Sequence, residues 1–302
     1  KGRARARQGK NMRIVHYGEC GEPCVFLLGY FDAVHIGHRK LIERAKVLAK
    51  QLGVKVAALT FSDAKNGEQV YVLAEREALL GRLGVDYLYV ARFDTAFKNT
   101  EGESFLDTVT DKCSVKAFVC GEDFRFGKNA VCGALCLTEY CKKRAIMSEI
   151  LPLVSVGGQK ASATLAKKYL DKGNIEALNA MLGEPYFIMG TVATEGRHVG
   201  RSLGFPTANL HPAAGKYPLA QGVYAVRTEV NGKEFRGIAN FGPRPTFGDG
   251  RVVCETYIDG FSGDLYGQEL TVRFDFRIRG IMKFSSAEEL KKQLEKDLEK
   301  IR

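Results

Sequence analysis

No run of apolar residues in this chain approaches the roughly 18–20 that a membrane-crossing helix needs, which excludes an integral helical membrane protein. The first ten residues contain no acid, and this basic leader lacks an apolar h-region, so no secretory signal is expected. No Cys-x-x-Cys pair occurs: Cys132, Cys136 and Cys141 have no histidine nearby, and Cys20, Cys24, Cys113, Cys120 and Cys254 are scattered. A chain of this length can build a core without disulfides, so reduced, mostly buried thiols in a cytoplasmic protein are expected, with zinc the weaker alternative. A Walker-type phosphate loop is also missing, because Gly127-Lys128 lacks both the earlier glycine and a following Ser or Thr. No internal repeat is visible.

What is present points to about two ordinary domains: 302 residues, 45% apolar and 26% charged. The formal charge is +10, but five of the positives (Lys1, Arg3, Arg5, Arg7 and Lys10) sit in the first ten residues. The remaining body is modestly basic, as suits anionic ligands. The leader, residues 1–11, reads as a disordered arm together with sequence upstream of a natural start at Met12; a nucleic-acid-binding tail is the alternative.

The first part of the chain alternates. Cys24–Leu28 is a continuous apolar run, and Leu41, Ala45, Leu48 and Leu52 then recur at helical spacing up to Gly53. Val54–Phe61, Tyr87–Val90, Ala117–Cys120 and Ile150–Val154 read as strands; Glu75–Leu83, Ser104–Thr110 and Leu135–Arg144 read as helices. Such alternation implies an α/β fold with a parallel sheet, whose ligands sit beyond the carboxyl ends of the strands. The loops after Leu28 and after Cys120 are therefore the places to look. A helical stretch, Ala163–Leu182, follows and breaks at Gly183-Glu184-Pro185. From Phe187 to Ile278 the runs are short and β-branched, with Asn231-Gly232 and Asp249-Gly250 between them, which predicts an antiparallel barrel. A last helix carries Leu290, Leu294, Leu298 and Ile301 on one stripe, with Ser285 and Glu288 as an expected capping box. The expected domains are residues 12–183 and 184–302.

Two stretches carry chemistry. In Gly29-Tyr30-Phe31-Asp32-Ala33-Val34-His35-Ile36-Gly37-His38, two imidazoles three residues apart open a helix, where N–H groups and the dipole favour phosphate. Gly37 lets the backbone approach a ligand, and imidazole donors can stabilise charge building on an attacked α-phosphate. Alone, two solvated loop histidines would be the simpler reading. In the second stretch, Gly196, Gly200 and Gly204 recur every fourth residue around Arg197 and Arg201, then Pro206-Thr207-Ala208-Asn209 follows. The glycines free backbone N–H groups for phosphate. Thr207 and Asn209 point to one side of a strand, and a hydroxyl beside an amide oxygen suits Mg²⁺. A Gly-rich turn with a capping Asn is the alternative.

These residues carry a resemblance. GYFDAVHIGH, residues 29–38, resembles the GxFDGxHxGH signature of the HxGH nucleotidyltransferases, specifically the FMN adenylyltransferase half of bacterial bifunctional riboflavin kinase/FAD synthetases. Gly121-Glu122-Asp123-Phe124-Arg125-Phe126-Gly127-Lys128 resembles that family's second flavin and nucleotide loop. GxxxGRxLGFPTAN matches the family's riboflavin kinase signature, residues 240–247 (NFGPRPTF) its NxGxRPTF segment and Asp264-Leu265-Tyr266-Gly267 its DLYG turn.

The resemblance implies a Rossmann-like domain followed by a riboflavin kinase-like antiparallel barrel that ends in a helix. It implies ATP-dependent phosphorylation of riboflavin to FMN, then adenylylation of FMN to FAD. ATP is the co-substrate and Mg²⁺ the cofactor. Glu255, His35 and His38 would be catalytic. Gly29, Phe31, Asp32, Gly37, Ser162, Thr164, Lys167, Gly196, Gly200, Arg201, Thr207 and Asn209 would bind nucleotide. Asp123, Phe124 and Arg279 would bind flavin, and Thr207 and Asn209 the metal.

Several positions depart from the family pattern. Ala33 replaces a glycine. Where the family reads SSTRIR, Ser162 and Thr164 remain while Leu165 and Lys167 replace the arginines. Tyr257 stands for a frequent histidine, and Ile281 for an acidic residue. One alternative is therefore a riboflavin kinase whose first domain only binds nucleotide or packs. A basic nucleic-acid-binding protein using the leader is another.

Overall fold

The computed structural model describes residues 12–19, 21–63, 67–194, 207–243 and 252–302. The chain divides into two compact units, Lys1–Ala163 and Thr164–Arg302. The residue 183 at which a boundary is expected lies two helices further on.

In the first unit, β1 (Arg13–His16), β2 (Gly21–Leu27), β3 (Lys55–Phe61), β4 (Tyr87–Ala91), β5 (Cys113–Gly121) and β6 (Met147–Leu151) form one parallel sheet in the order β1-β4-β3-β2-β5-β6. α1 (Ile36–Leu52), α2 (Leu73–Leu83), α3 (Thr95–Lys98), α4 (Gly102–Lys112) and α5 (Ala134–Lys143) come between the later strands. Each central strand is apolar on both faces because helices cover both: Val25, Leu27, Ala58 and Val119 on one side, Phe26, Ala57, Leu59 and Phe118 on the other, are all buried. Burying each large side chain contributes roughly 1.5–3 kcal/mol. From β2 the chain steps outward through β3 to β4, then returns to lay β5 and β6 on the opposite side. The order therefore reverses between β2 and β5, and the crevice beyond their carboxyl ends is a topological switch point. A two-residue hairpin, β7 (Ser155–Val156) and β8 (Gln159–Lys160), closes the unit.

The second unit opens with α6 (Ala163–Lys172) and α7 (Ile175–Leu182). They replace the single helix expected over 163–182, because Gly173 takes φ +64 and Asn174 caps α7 by accepting from Ala177 N at 3.1 Å. A Cβ at Gly173 would also stand 2.8 Å from Tyr224 Oη.

Six antiparallel strands follow: β9 (Tyr186–Thr191), β10 (Thr207–Leu210), β11 (Gly222–Val230), β12 (Lys233–Pro243), β13 (Val252–Ile258) and β14 (Glu269–Arg279), in the order β10-β13-β12-β11-β14-β9. The sheet curls until its two ends meet. Val192 bridges Leu210, and Ala193 N donates to Asn209 O at 2.8 Å. The last helix, α8 (Ala287–Glu299), lays Leu298 on Val223, Ala225 and Ile238, and Ile301 just after it joins the same cluster. Its cap falls one residue later than the sequence suggests. Ser286 Oγ accepts from Glu289 N at 3.2 Å while Glu289 accepts from Ser285 N at 3.0 Å.

Among the described residues the seven cysteines are free, no helix is long and apolar enough to cross a membrane, and no group of three His, Cys, Asp or Glu could hold a metal.

Candidate active sites

The loops after β2 and β5 line one cavity of about 790 Å³, within the size range of small-molecule sites. Its apolar lining combines aliphatic residues with six phenylalanines, Phe61, Phe93, Phe97, Phe105, Phe124 and Phe126. Its polar lining includes His35, His38, Asp123, Lys160 and Ser162. Phe124 stacks on Phe126 with centroids 5.5 Å apart, a flat surface suited to a planar ring system.

His35 is the N-cap residue of α1 and His38 sits in its first turn, which holds no acid. Their rings stack at 3.9 Å, and Phe31 backs His38 at 4.8 Å. The Nδ1 atoms of both histidines are shut off from solvent without a hydrogen-bond partner. Burial pushes His35 down to about 4, more than the nearby Asp123 carboxylate restores, and Lys160 lowers it further. Burial, then the neighbouring His35, holds His38 well below its ordinary value. Both imidazoles are neutral at pH 7. Each then offers one N–H, and the pair can approach phosphate beside the free N–H groups of α1 without repelling each other.

The turn that sets this pair is tight. Phe31 and Val34 adopt φ +56 and +44, and a Cβ at Gly37 would stand 3.1 Å from the His35 ring. Gly29 and Asp32 line the cavity, whereas Phe31 is fully buried behind His38. The Asp32 carboxylate accepts from Val70 N at 2.8 Å and Tyr71 N at 3.4 Å. Asp123 forms an ion pair with Lys160.

Of the expected phosphate contacts further on, Ser162 lines the cavity, while Thr164 and Lys167 belong to α6 of the second unit. There Leu165 is buried with Ala166 and Leu170, and Lys167 Nζ lies 4.9 Å above the Tyr217 ring. Lys98 and Asn129 also line the cavity and were not singled out from the sequence. Lys98 follows Phe93 and Phe97, an aromatic pair four residues apart that could have marked it.

In the second unit, strand register gathers the remaining residues. Asn209 on β10 pairs with Glu255 on β13, Glu255 with Asn240 on β12, Asn240 with Val223 on β11, and Val223 with Arg279 on β14. Directly opposed residues share a face, so one row runs across five strands. Thr207, two residues before Asn209, joins that face with its Oγ1 3.5 Å from Glu255 Oε1. Asn209 Oδ1 is buried and has no hydrogen-bond partner. Asn240 is the row member that sequence reading quoted only as part of a motif. At the far end, Arg279 Nε donates to the fully buried Asp297 of α8 at 2.8 Å, and Gln293 donates to the other Asp297 oxygen at 2.8 Å. Gly196, Gly200, Arg201 and the 244–247 segment lie outside the described residues.

An orphaned amide oxygen, on the strand-pair partner of a carboxylate that a hydroxyl approaches, makes an all-oxygen set, which fits Mg²⁺. A switch-point cavity with two neutral histidines at a helix start, and a curled antiparallel sheet with this oxygen row, together define a two-site nucleotide-dependent transferase. The FAD synthetase family model matches residues 18–165 and the riboflavin kinase family model residues 182–302. Bifunctional riboflavin kinase/FMN adenylyltransferases of Listeria monocytogenes and Bacillus subtilis are 34% and 33% identical to the chain, over 90% of each sequence. That of Escherichia coli is 32% identical over 91% of each. The chain belongs to the bifunctional riboflavin kinase/FMN adenylyltransferase family. A crystal structure from Streptococcus pneumoniae described as a macrolide-efflux protein is also similar, with TM-score 0.86 and 31% identity over 96% of this chain and 99% of that one.

Proposed function

We propose that the second unit transfers the γ-phosphoryl group of ATP to riboflavin, giving FMN, and that the first transfers AMP from ATP to FMN, giving FAD and pyrophosphate. The cross-strand row Asn209–Glu255–Asn240, with Thr207 beside it, carries the reading.

A primary alcohol attacking phosphorus must lose a proton, and Glu255 is the carboxylate placed to accept it. Thr207 Oγ1 and Asn209 Oδ1 would hold Mg²⁺, which supplies charge neutralisation on the phosphates when bound. The bond from the γ-phosphorus to the bridging oxygen breaks, and ADP leaves.

In the first unit an FMN phosphate oxygen, already ionised, attacks the α-phosphorus of ATP, and no general base is required. His35 and His38 donate N–H bonds to the phosphates and favour charge leaving with pyrophosphate. The aromatic lining holds the flavin ring. The seven cysteines among the described residues are free thiols, which supports the reducing cytoplasm as the compartment.

A second reading, a riboflavin kinase whose first unit binds nucleotide without turnover, is favoured by one observation. Leu165, at an arginine position of the family, is a buried packing residue. Incubation with riboflavin, ATP and Mg²⁺, with flavins separated by chromatography over time, tests both. FMN is expected first and FAD more slowly. FMN without FAD supports the second reading, and no FMN refutes the proposal.

A further inference from the structure

Arg76 lies on α2 and is fully buried, and it does not itself line the cavity. Burying a guanidinium is costly unless its donors are used. Two of them are: Nη1 donates to Thr60 Oγ1 at 2.5 Å and Nη2 to Phe61 O at 2.8 Å, both at the carboxyl end of β3. Thr60 Oγ1 in turn donates to Tyr30 O at 3.0 Å. The chain of bonds therefore runs from α2 through β3 to the second residue of the Gly29–His38 turn.

Asp32, two residues beyond Tyr30, is buried as well and accepts from Val70 N and Tyr71 N, just ahead of α2. The turn is thus fastened to one segment, residues 70–76, by a carboxylate and, through Thr60, by a guanidinium. Phe31 lies between the two fastened residues and Val34 between them and the histidines, both with positive φ. Such conformations cost energy and persist only where surrounding bonds over-determine them.

We propose that Arg76 is a positioning residue of the adenylyl-transfer site: through Thr60 and the Tyr30 carbonyl it holds the strained turn that stacks His35 on His38. Its planar fork reaches two acceptors at once, which a lysine ammonium on a flexible stem does not reproduce. The inference rests on the adenylyl transfer proposed above.

The test uses the full chain with Arg76→Lys, Thr60→Val and Thr60→Ser. FAD formation from FMN and ATP is read beside FMN formation from riboflavin, with the urea midpoint of each variant. Arg76→Lys and Thr60→Val are expected to lower kcat for FAD by about 10²-fold, the scale of a misplaced reacting group. KM for FMN and the rate of FMN formation should stay at wild-type values, and Thr60→Ser, which keeps the hydroxyl, should recover kcat. Should Arg76→Lys fail to fold, the Thr60 pair carries the same comparison. Wild-type kcat in Thr60→Val, or equal losses in Thr60→Val and Thr60→Ser, overturns the inference. A wild-type chain that makes no FAD overturns instead the adenylyl-transfer reading on which it rests.

Discussion

Acid should unfasten the histidine pair, and the size of the effect follows from its burial. In the unfolded chain His35 takes up a proton near its ordinary 6.5; in the folded chain it does so only at about 4. Between those values the unfolded state binds more protons, so stability is complete above pH 6.5 and is lost as pH falls toward 4. At about 1.4 kcal/mol per pH unit the loss from His35 is about 3 kcal/mol. Carboxylates titrate in the same window, so the comparison must be with His35→Gln, which keeps them and removes only this group. Urea denaturation of both proteins at half-unit intervals from pH 7.5 to 4 gives the difference directly. Wild type should lose about 3 kcal/mol relative to His35→Gln across that span, with no relative change above pH 7. Parallel stability curves would mean a solvated His35, and the neutral stacked pair would then be wrong.

Other consequences are local to one unit each. Gly37→Ala places a methyl 3.1 Å from the His35 ring, so FAD formation should fall about tenfold or more while FMN formation holds, read by product chromatography. Asp297→Ala strands the Arg279 guanidinium, and the second unit should lose about 3–5 kcal/mol in urea denaturation, the scale for breaking a buried pair. Asn209→Ala removes the orphaned oxygen that the proposed function assigns to Mg²⁺, so the Mg²⁺ concentration giving half-maximal FMN formation should rise about tenfold or more; an unchanged requirement removes Asn209 from that proposed role.

The parallel sheet was legible because β2, β3 and β5 each contain a continuous apolar run, at Cys24–Leu27, Val56–Leu59 and Ala117–Cys120, a pattern that survives without tertiary information. β1 is mostly exposed edge and offers no such run. β12 begins Lys233-Glu234 and is exposed there, so its first half reads as loop. The strand expected at Ile150–Val154 lies at Met147–Leu151, because Pro152 removes a ladder donor and ends it. Ala166 and Leu170 on one side of Gly173, and Ile175, Leu178 and Leu182 on the other, each keep helical spacing, which hid the break between them.

At the sites, local signals pointed to His35, His38, Thr207 and Asn209, since each sits in a motif or at fixed spacing, whereas Glu255 was indicated by the family resemblance alone. The row that joins Asn209, Glu255 and Asn240 depends on pairing between strands more than thirty residues apart in sequence for its first link. Sequence pattern does not encode that register. Arg76 escaped for a different reason: a charged residue in a helix normally marks the solvent face, and here it is buried against β3.

The central claim is that two chemically separate sites act in series on one flavin. Glu255→Gln supplied with riboflavin and ATP should form FMN about 10²–10⁴ times more slowly than wild type, the range for losing a general base. Supplied with FMN instead, the same protein should make FAD at the wild-type rate. Equal loss of both products, or of neither, would contradict the account.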